Sequence, residues 1–243
     1  MGNTYYAAGQ ARAARVNDLF AAIAPRYDLI NDLQSLGLHR FWKRRLVKLS
    51  GVQAGRRALD LCCGTGDIAF ALARAGATVT GLDFSEAMLA VARASQKKHG
   101  AVLPCPVQFL KGDAMRLPFP DASFDVTTVG YGLRNLADWK TGLAEMRRVT
   151  RPGGRMLILD FGKPDNRAWR ALYFAYLRLA VPLFGRVFCR DAAAYAYILE
   201  SLQHYPAQRG VEAEMHALGC AGVRVVDFLG GMMSLNLADV PGC

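Results

Sequence analysis

A chain of 243 residues that is 52% hydrophobic and 21% charged can bury one full core and has no room for a second large domain. Residues 1–15 lack the apolar middle of a signal peptide, and no run of about 18 apolar residues follows, so a spanning helix is excluded and a cytoplasmic protein is expected. The formal net charge of +10 favours an anionic partner, either nucleic acid or a membrane face, while the six cysteines show neither a C-x-x-C pair nor a zinc spacing, so no disulfide framework and no metal is expected.

Residues 1–15 are small, polar and basic and read as a loose tail. From Val16 to Leu49 the pattern predicts two or three short helices punctuated by Pro25 and Gly37. Within this 16–50 preface, Arg40, Lys43, Arg44, Arg45 and Lys48 surround Phe41, Trp42, Leu46 and Val47. Either this is a solvated helix face over the core, or it is an interfacial helix with Trp42 at the lipid boundary.

A 51–161 core follows. Ala58–Cys62 is a short buried strand, Gly64-Thr65-Gly66 a turn, Ile68–Ala75 a helix stopped at Gly76, and Thr78–Leu82 a second strand ending on Asp83. Two glycines at a strand-to-helix turn allow close approach of a ligand, and an acid after the next strand suits ribose hydroxyls. The third glycine of a dinucleotide fingerprint is missing, and Asp67 beside the turn suits a sulfonium better than a diphosphate. The turn therefore suggests S-adenosylmethionine (SAM), with an ordinary tight loop as the alternative.

Phe84–His99 is a helix capped by Ser85, and Val107–Leu110 is a third strand leading to Asp113 and Ala114, where the acid could bond an adenine amino group. Phe124–Val129 is a fourth strand opening into Gly130-Tyr131-Gly132-Leu133-Arg134-Asn135, and Trp139–Val149 is a helix. Arg151-Pro152-Gly153-Gly154 reads as a turn before a fifth strand, Arg155–Phe161. Alternation of this kind predicts a doubly wound α/β fold of Rossmann-like type. Residues 162–210 hold the apolar stretch Leu172–Phe184, a core or lid helix, and a tyrosine-rich helix at Asp191–Leu202. In 211–243, a helix at Val211–Leu218 precedes a hairpin of Val223–Phe228 with Met232–Leu237.

The preface motif Tyr27-Asp28-Leu29-Ile30-Asn31-Asp32, with Ser35, Gly37, His39 and Trp42-Lys43, joins four further stretches: Asp60 to Asp67, Leu117-Pro118-Phe119-Pro120-Asp121 with Phe124-Asp125, Gly132-Leu133-Arg134-Asn135, and Arg148-Val149 before Arg151-Pro152-Gly153-Gly154. With Tyr195-x-Tyr197-x-Leu199-Glu200-Ser201 they cover residues 16–237, and the whole resembles the UbiE/COQ5 family, the C-methyltransferases of menaquinone and ubiquinone biosynthesis. The resemblance implies a class I SAM-dependent methyltransferase, with Thr65, Asp83, Asp113 and Ala114 as cofactor contacts and Asp60 and Gly64 to Gly66 forming the turn. Cys62, Asp113 and Gly130 depart from the residues usual there, and Leu235-Asn236 stands where the family often has Leu-His.

Carbon methylation needs an electron-rich ring carbon, which a reduced quinone supplies when a phenolic proton leaves; no metal is required. Arg134 and Asn135, just past the fourth strand, are the candidates to stabilise the phenolate or hold a water, an ion pair being the alternative for Arg134. Tyr27 and Asp28 are expected to cover the cofactor and touch the ring, core packing being the alternative for Tyr27, while Tyr195, Tyr197 and Ser201 either line the quinone pocket or pack. His39 is expected to cap or pack rather than act as a base. The expected reaction is demethylmenaquinol to menaquinol, with the prenylated benzoquinol of ubiquinone biosynthesis as the alternative, a prenylated quinol as partner, peripheral membrane contact, and a possible homodimer. An RNA substrate is disfavoured because no Asn/Asp-Pro-Pro-aromatic run follows the fourth strand, and a SAM-binding protein without catalysis would leave Arg134-Asn135 without a purpose.

Overall fold

The computed structural model describes residues 27–99, 103–184 and 193–242, with 18, 20, 21 and 24 of the segment before them. The expected loose tail at 1–15 lies outside the described residues, as do the side chains of Asp28, Tyr195 and Tyr197.

Of the preface, the described residues from 27 onward form helices α1 (Tyr27–Ser35) and α2 (Leu38–Ser50), turned at Gly37, whose φ of 78° suits a residue without Cβ. The core then alternates β1 (Arg57–Leu61), α3 (Asp67–Arg74), β2 (Thr78–Asp83), α4 (Glu86–His99), β3 (Gln108–Lys111), β4 (Phe124–Gly130), α5 (Trp139–Val149) and β5 (Thr150–Phe161). After it come α6 (Arg167–Phe184), α7 (Ala193–His204), α8 (Ala207–Ala217), β6 (Ala221–Phe228) and β7 (Met233–Asp239). Among the described residues the strands form one sheet of order β3-β2-β1-β4-β5-β7-β6, parallel through β5, with β7 antiparallel to both β5 and β6. Strand order reverses between β1 and β4, and a crevice forms outside the carboxyl ends of strands at such a point.

Alternation along the strands builds two cores. In β5, Met156 and Ile158 join the layer under α5 and α8, while Leu157 and Leu159 join the layer under α2, α3 and α4. The ends of α5 match its dipole: Asp138 accepts from the Lys140 N–H at 3.0 Å, and Arg147 and Arg148 occupy the last turn.

Several expectations need correction. Arg151-Pro152-Gly153-Gly154 is not a turn before β5 but a bulge within it, because the Gly153 N–H and the Gly154 carbonyl pair with Val240 and carry the strand through. The expected terminal hairpin does form, β6 antiparallel to β7, and it extends the main sheet with β7 beside β5. Ser85 does not cap α4 through its side chain: its hydroxyl is buried without a partner, and its N–H donates to Asp83 Oδ1 at 2.8 Å. Of the two readings of the basic preface helix, the face lying over the core holds for Trp42. It is 7% exposed in the layer under α2, and Lys43 is buried beside it, paired with Asp67 Oδ2 at 2.7 Å; the outward residues of α2 are Arg40, Phe41, Arg44 and Lys48.

Candidate functional site

A cleft lies outside the carboxyl ends of β1, β2, β3 and β4, with an empty volume near 830 Å³ that includes open solvent at its mouth. Its floor is the turn after β1. Cys62 takes φ 50° and Gly64 φ 56°, so the chain leaves the strand in a left-handed bend. A Cβ on Gly64 would meet nothing closer than Met88 Cε at 4.0 Å, which leaves room for a ligand against the backbone.

Asp83 fastens the turn. Its Oδ2 accepts from the Gly64 N–H and its Oδ1 from the Ser85 N–H, both at 2.8 Å. Burial pushes its carboxyl above the usual range, opposed by the bonds from Ser85, Gly64 and Phe84. Across the cleft Asp113 accepts from the Met115 N–H at 2.8 Å, next to the apolar wall of Leu82, Met88 and Ala114.

The described residues lining the cleft include two carboxylates, Asp83 and Asp113, and no lysine or arginine, in a chain whose net charge is +10. Such a lining repels a diphosphate and accepts an adenosine that carries a positive charge. SAM fits on these grounds: Asp83 would hold the ribose, Asp113 the adenine, and the Gly64 turn would lie against the charged tail.

At the other end of the cleft stand Gly130, Tyr131, Gly132 and Asn135, with Phe20 and Tyr27 of the preface. A Cβ on Gly132 would come within 2.3 Å of Cys62 Cβ, so the fourth strand's exit and the first strand's turn touch through a glycine.

Of the residues singled out from sequence, Tyr27, Gly64, Asp83, Asp113, Ala114 and Asn135 are brought together on this cleft. Asp60, Thr65, Gly66, Arg134 and Ser201 are buried behind it. Asp60 accepts from Thr128 Oγ1 at 2.7 Å, its other oxygen has no partner, and burial pushes its carboxyl up to about 7. Gly66 has φ 90° and is boxed by Phe109 and Phe70, where a Cβ would lie 3.0 Å from each ring.

Arg134 makes the ion pair that sequence left as one of its two roles. It is 5% exposed, its Nη1 lies 2.9 Å from Asp160 Oδ1 and donates to the Tyr131 carbonyl at 2.6 Å, and Nε donates to Ser201 Oγ at 3.3 Å. Asp160 is pushed up by burial, more than the Arg134 charge draws it down. His39 packs as expected, Nδ1 at 2.9 Å from Ser35 Oγ, and burial lowers its basicity.

Sequence reasoning missed Tyr131, Met88, Phe84 and Leu136. The signal for Tyr131 was its place between two glycines at a strand end. No local signal marked the others.

A doubly wound sheet whose cleft joins a glycine turn to acids after the second and third strands defines a SAM-dependent methyltransferase of class I. The fold is shared with a SAM-dependent methyltransferase from Aquifex aeolicus (TM-score 0.58, 19% identity, 82% of this chain and 89% of that one) and with one from Methanococcus maripaludis (TM-score 0.63, 18% identity, 93% and 95%). The model of the ubiE/COQ5 methyltransferase family matches residues 8–239, and the chain belongs to that family. Similar relatives include the demethylmenaquinone methyltransferase of Mycobacterium sp. strain KMS, 41% identical over 226 residues (93% of this chain, 94% of that one). That of Staphylococcus aureus strain JH9 is 38% identical over 231 residues (94% of each), and that of Bacillus cytotoxicus 36% over 235 (96% and 98%).

Proposed function

We propose that the chain methylates a ring carbon of demethylmenaquinol to give menaquinol, the reaction named for its relatives. SAM, when bound, supplies the methyl group as a sulfonium. The observation that carries the reading is the lining of the cleft, which among the described residues is acidic and holds no arginine or lysine, in a chain of this family. Overall, one ring C–H is replaced by C–CH₃, the methyl–sulfur bond breaks, and one proton is released.

The chain's own part is to hold the ring and ease the loss of the phenolic proton. At the glycine-flanked end, Tyr27, Tyr131 and Asn135 are the polar side chains on the cleft, and Phe20 and Leu136 give it apolar walls. A donor at this end of the cleft can bond a developing phenolate, and holding the ring in place removes orientational freedom. Tritium transfer from methyl-labelled SAM to chemically reduced demethylmenaquinone, and in parallel to reduced 2-methoxy-6-prenyl-benzoquinone, tests this. Transfer to the naphthoquinol supports the reading, transfer to the benzoquinol alone moves it to ubiquinone biosynthesis, and transfer to neither with SAM still bound overturns it.

A prenylated quinol resides in the bilayer, and one face of the protein suits contact with it. Trp169, Leu172, Tyr176 and Leu179 form an exposed stripe on α6, the two leucines 60% and 73% exposed, while Tyr173 and Leu177 of the same helix are buried. The stripe continues through Leu229, whose carbonyl accepts from Trp169 Nε1 at 3.0 Å, and on to Phe228, whose ring lies 6.2 Å from that of Phe41. Exposed Arg167 and Arg178 flank it on α6, and Arg40, Arg44 and Lys48 on α2. Apolar side chains ringed by cations match an anionic lipid surface. Among the described residues no helix is long and apolar enough to cross a membrane, and the contact we propose is a peripheral one. A second copy of the chain is the competing occupant of this face.

A further inference from the structure

Tyr131 stands between Gly130 and Gly132 at the end of β4, with φ 61°, a conformation that a side chain with a Cβ rarely adopts. Three bonds hold it there. Its N–H donates to the Leu159 carbonyl at 2.7 Å, and its own carbonyl accepts from Arg134 Nη1 at 2.6 Å and from Asn135 Nδ2 at 3.2 Å. Arg134 is itself fixed by Asp160, so a buried ion pair stands behind this one peptide unit.

The residue placed in this way is one of those that line the cleft. Its ring packs against Phe161 with centroids 5.9 Å apart and lies 5.9 Å from Lys43 Nζ. Its hydroxyl is shut off from solvent and has no hydrogen-bond partner. A buried hydroxyl without a partner bears a desolvation cost, and folded proteins keep few such groups outside sites where a ligand completes them. Burial holds the phenol well above its usual range, reinforced by Tyr27 and Asp160, so it stays protonated and can act as a donor.

We propose that the Tyr131 hydroxyl donates a hydrogen bond to the ring oxygen of the aromatic acceptor, ortho to the carbon that is methylated. Arg134 and Asn135 are then positioning residues, which act by holding the Tyr131 carbonyl. The proposal rests on the quinol reading above. Electron density reaches the ring carbon only as negative charge develops on the neighbouring oxygen, and a fixed donor at that oxygen strengthens as the charge grows. Phe20 and Tyr27 on the same stretch of cleft supply flat faces for the ring.

The test compares wild type with Tyr131→Phe in methyl transfer to reduced demethylmenaquinone, alongside SAM affinity by calorimetry and thermal unfolding. The expected result is a roughly ten- to hundredfold fall in kcat/KM for the quinol, SAM affinity within about twofold of wild type, and a Tm unchanged or raised because an unpaired hydroxyl has gone. Arg134→Lys, which keeps the charge but loses the planar fork, is expected to lower both quinol kcat/KM and Tm. Quinol kcat/KM within about twofold of wild type in Tyr131→Phe would overturn the proposal and leave the quinol reading standing. So would a Tm lowered by several degrees in that variant, since the hydroxyl would then have a partner within the fold. An inactive wild type that still binds SAM would overturn the quinol reading and this proposal together.

Discussion

Replacing Arg134 by methionine keeps the apolar stem and removes the charge, leaving Asp160 buried at 2% exposure with only the backbone N–H groups of Phe161 and Arg134 as donors, at 2.8 and 3.3 Å. Removing one partner of a buried pair costs about 3–5 kcal/mol, because the remaining carboxylate keeps its desolvation penalty and loses its counter-charge. The Tyr131 carbonyl also loses a donor at 2.6 Å. Set against a total stability of roughly 5–15 kcal/mol, the variant should fold but with a midpoint much lowered in urea. Adding Asp160→Asn removes the stranded charge and should recover about 1–3 kcal/mol of the deficit. The sign with pH follows from the raised carboxyl. In the single variant Asp160 loses the largest of the influences that lower it, so its folded form takes up a proton more readily still. The deficit should therefore be greater at pH 8 than at pH 5, where the proton removes the unpaired charge. Urea titrations followed by tryptophan fluorescence, with the slope m checked for constancy, measure all three quantities. A cost below about 1 kcal/mol for Arg134→Met, or no recovery in the double variant, would refute this account of the pair.

Three further outcomes are expected. Asp60, pushed up to about 7 by burial, binds its proton more tightly folded than unfolded, so its contribution to stability is lost as pH rises from about 4 to about 7; Asp60→Asn should flatten stability across that window in pH-dependent urea titrations. Gly132→Ala places a methyl 2.3 Å from Cys62 Cβ, a contact that should cost about 1–3 kcal/mol and weaken SAM binding as the turn at Gly64 shifts, whereas Gly153→Ala, with nothing within 4 Å of the new methyl, should leave SAM binding as it was. Leu172→Glu with Leu179→Glu should abolish co-sedimentation with vesicles rich in anionic lipid and leave methylation of a short-tailed, water-soluble quinol intact; sedimentation unchanged would remove the α6 stripe from the membrane, and a wild-type dimer dissociated by the pair of changes would assign the face to a second copy.

Local sequence determined what depends on neighbours along the chain. The turn at Gly64, the acid ending β2 and the five parallel strands were legible because apolar runs, glycines and strand-terminal acids act within a few residues of themselves. Asp83 could be placed on the site for the same reason: its donors are the turn one strand back and the residue two further on. Tertiary structure decided what depends on partners far away in sequence. Which side of α2 is buried follows from its docking on α3, where Asp67 claims Lys43, and this set Trp42 inside and Phe41 outside, deciding between the two readings the sequence left open. The bulge at Gly153 and Gly154 needed Val240 as a partner, and the antiparallel β7 needed the open edge of β5. Arg134 and Asn135 stood out in the sequence as the charged and polar end of a signature, but a guanidinium goes where its counter-charge lies. Asp160, at the end of the neighbouring strand, draws Arg134 beneath the cleft and leaves Tyr131 on its surface, because strand pairing, which no local pattern specifies, brings β4 and β5 side by side.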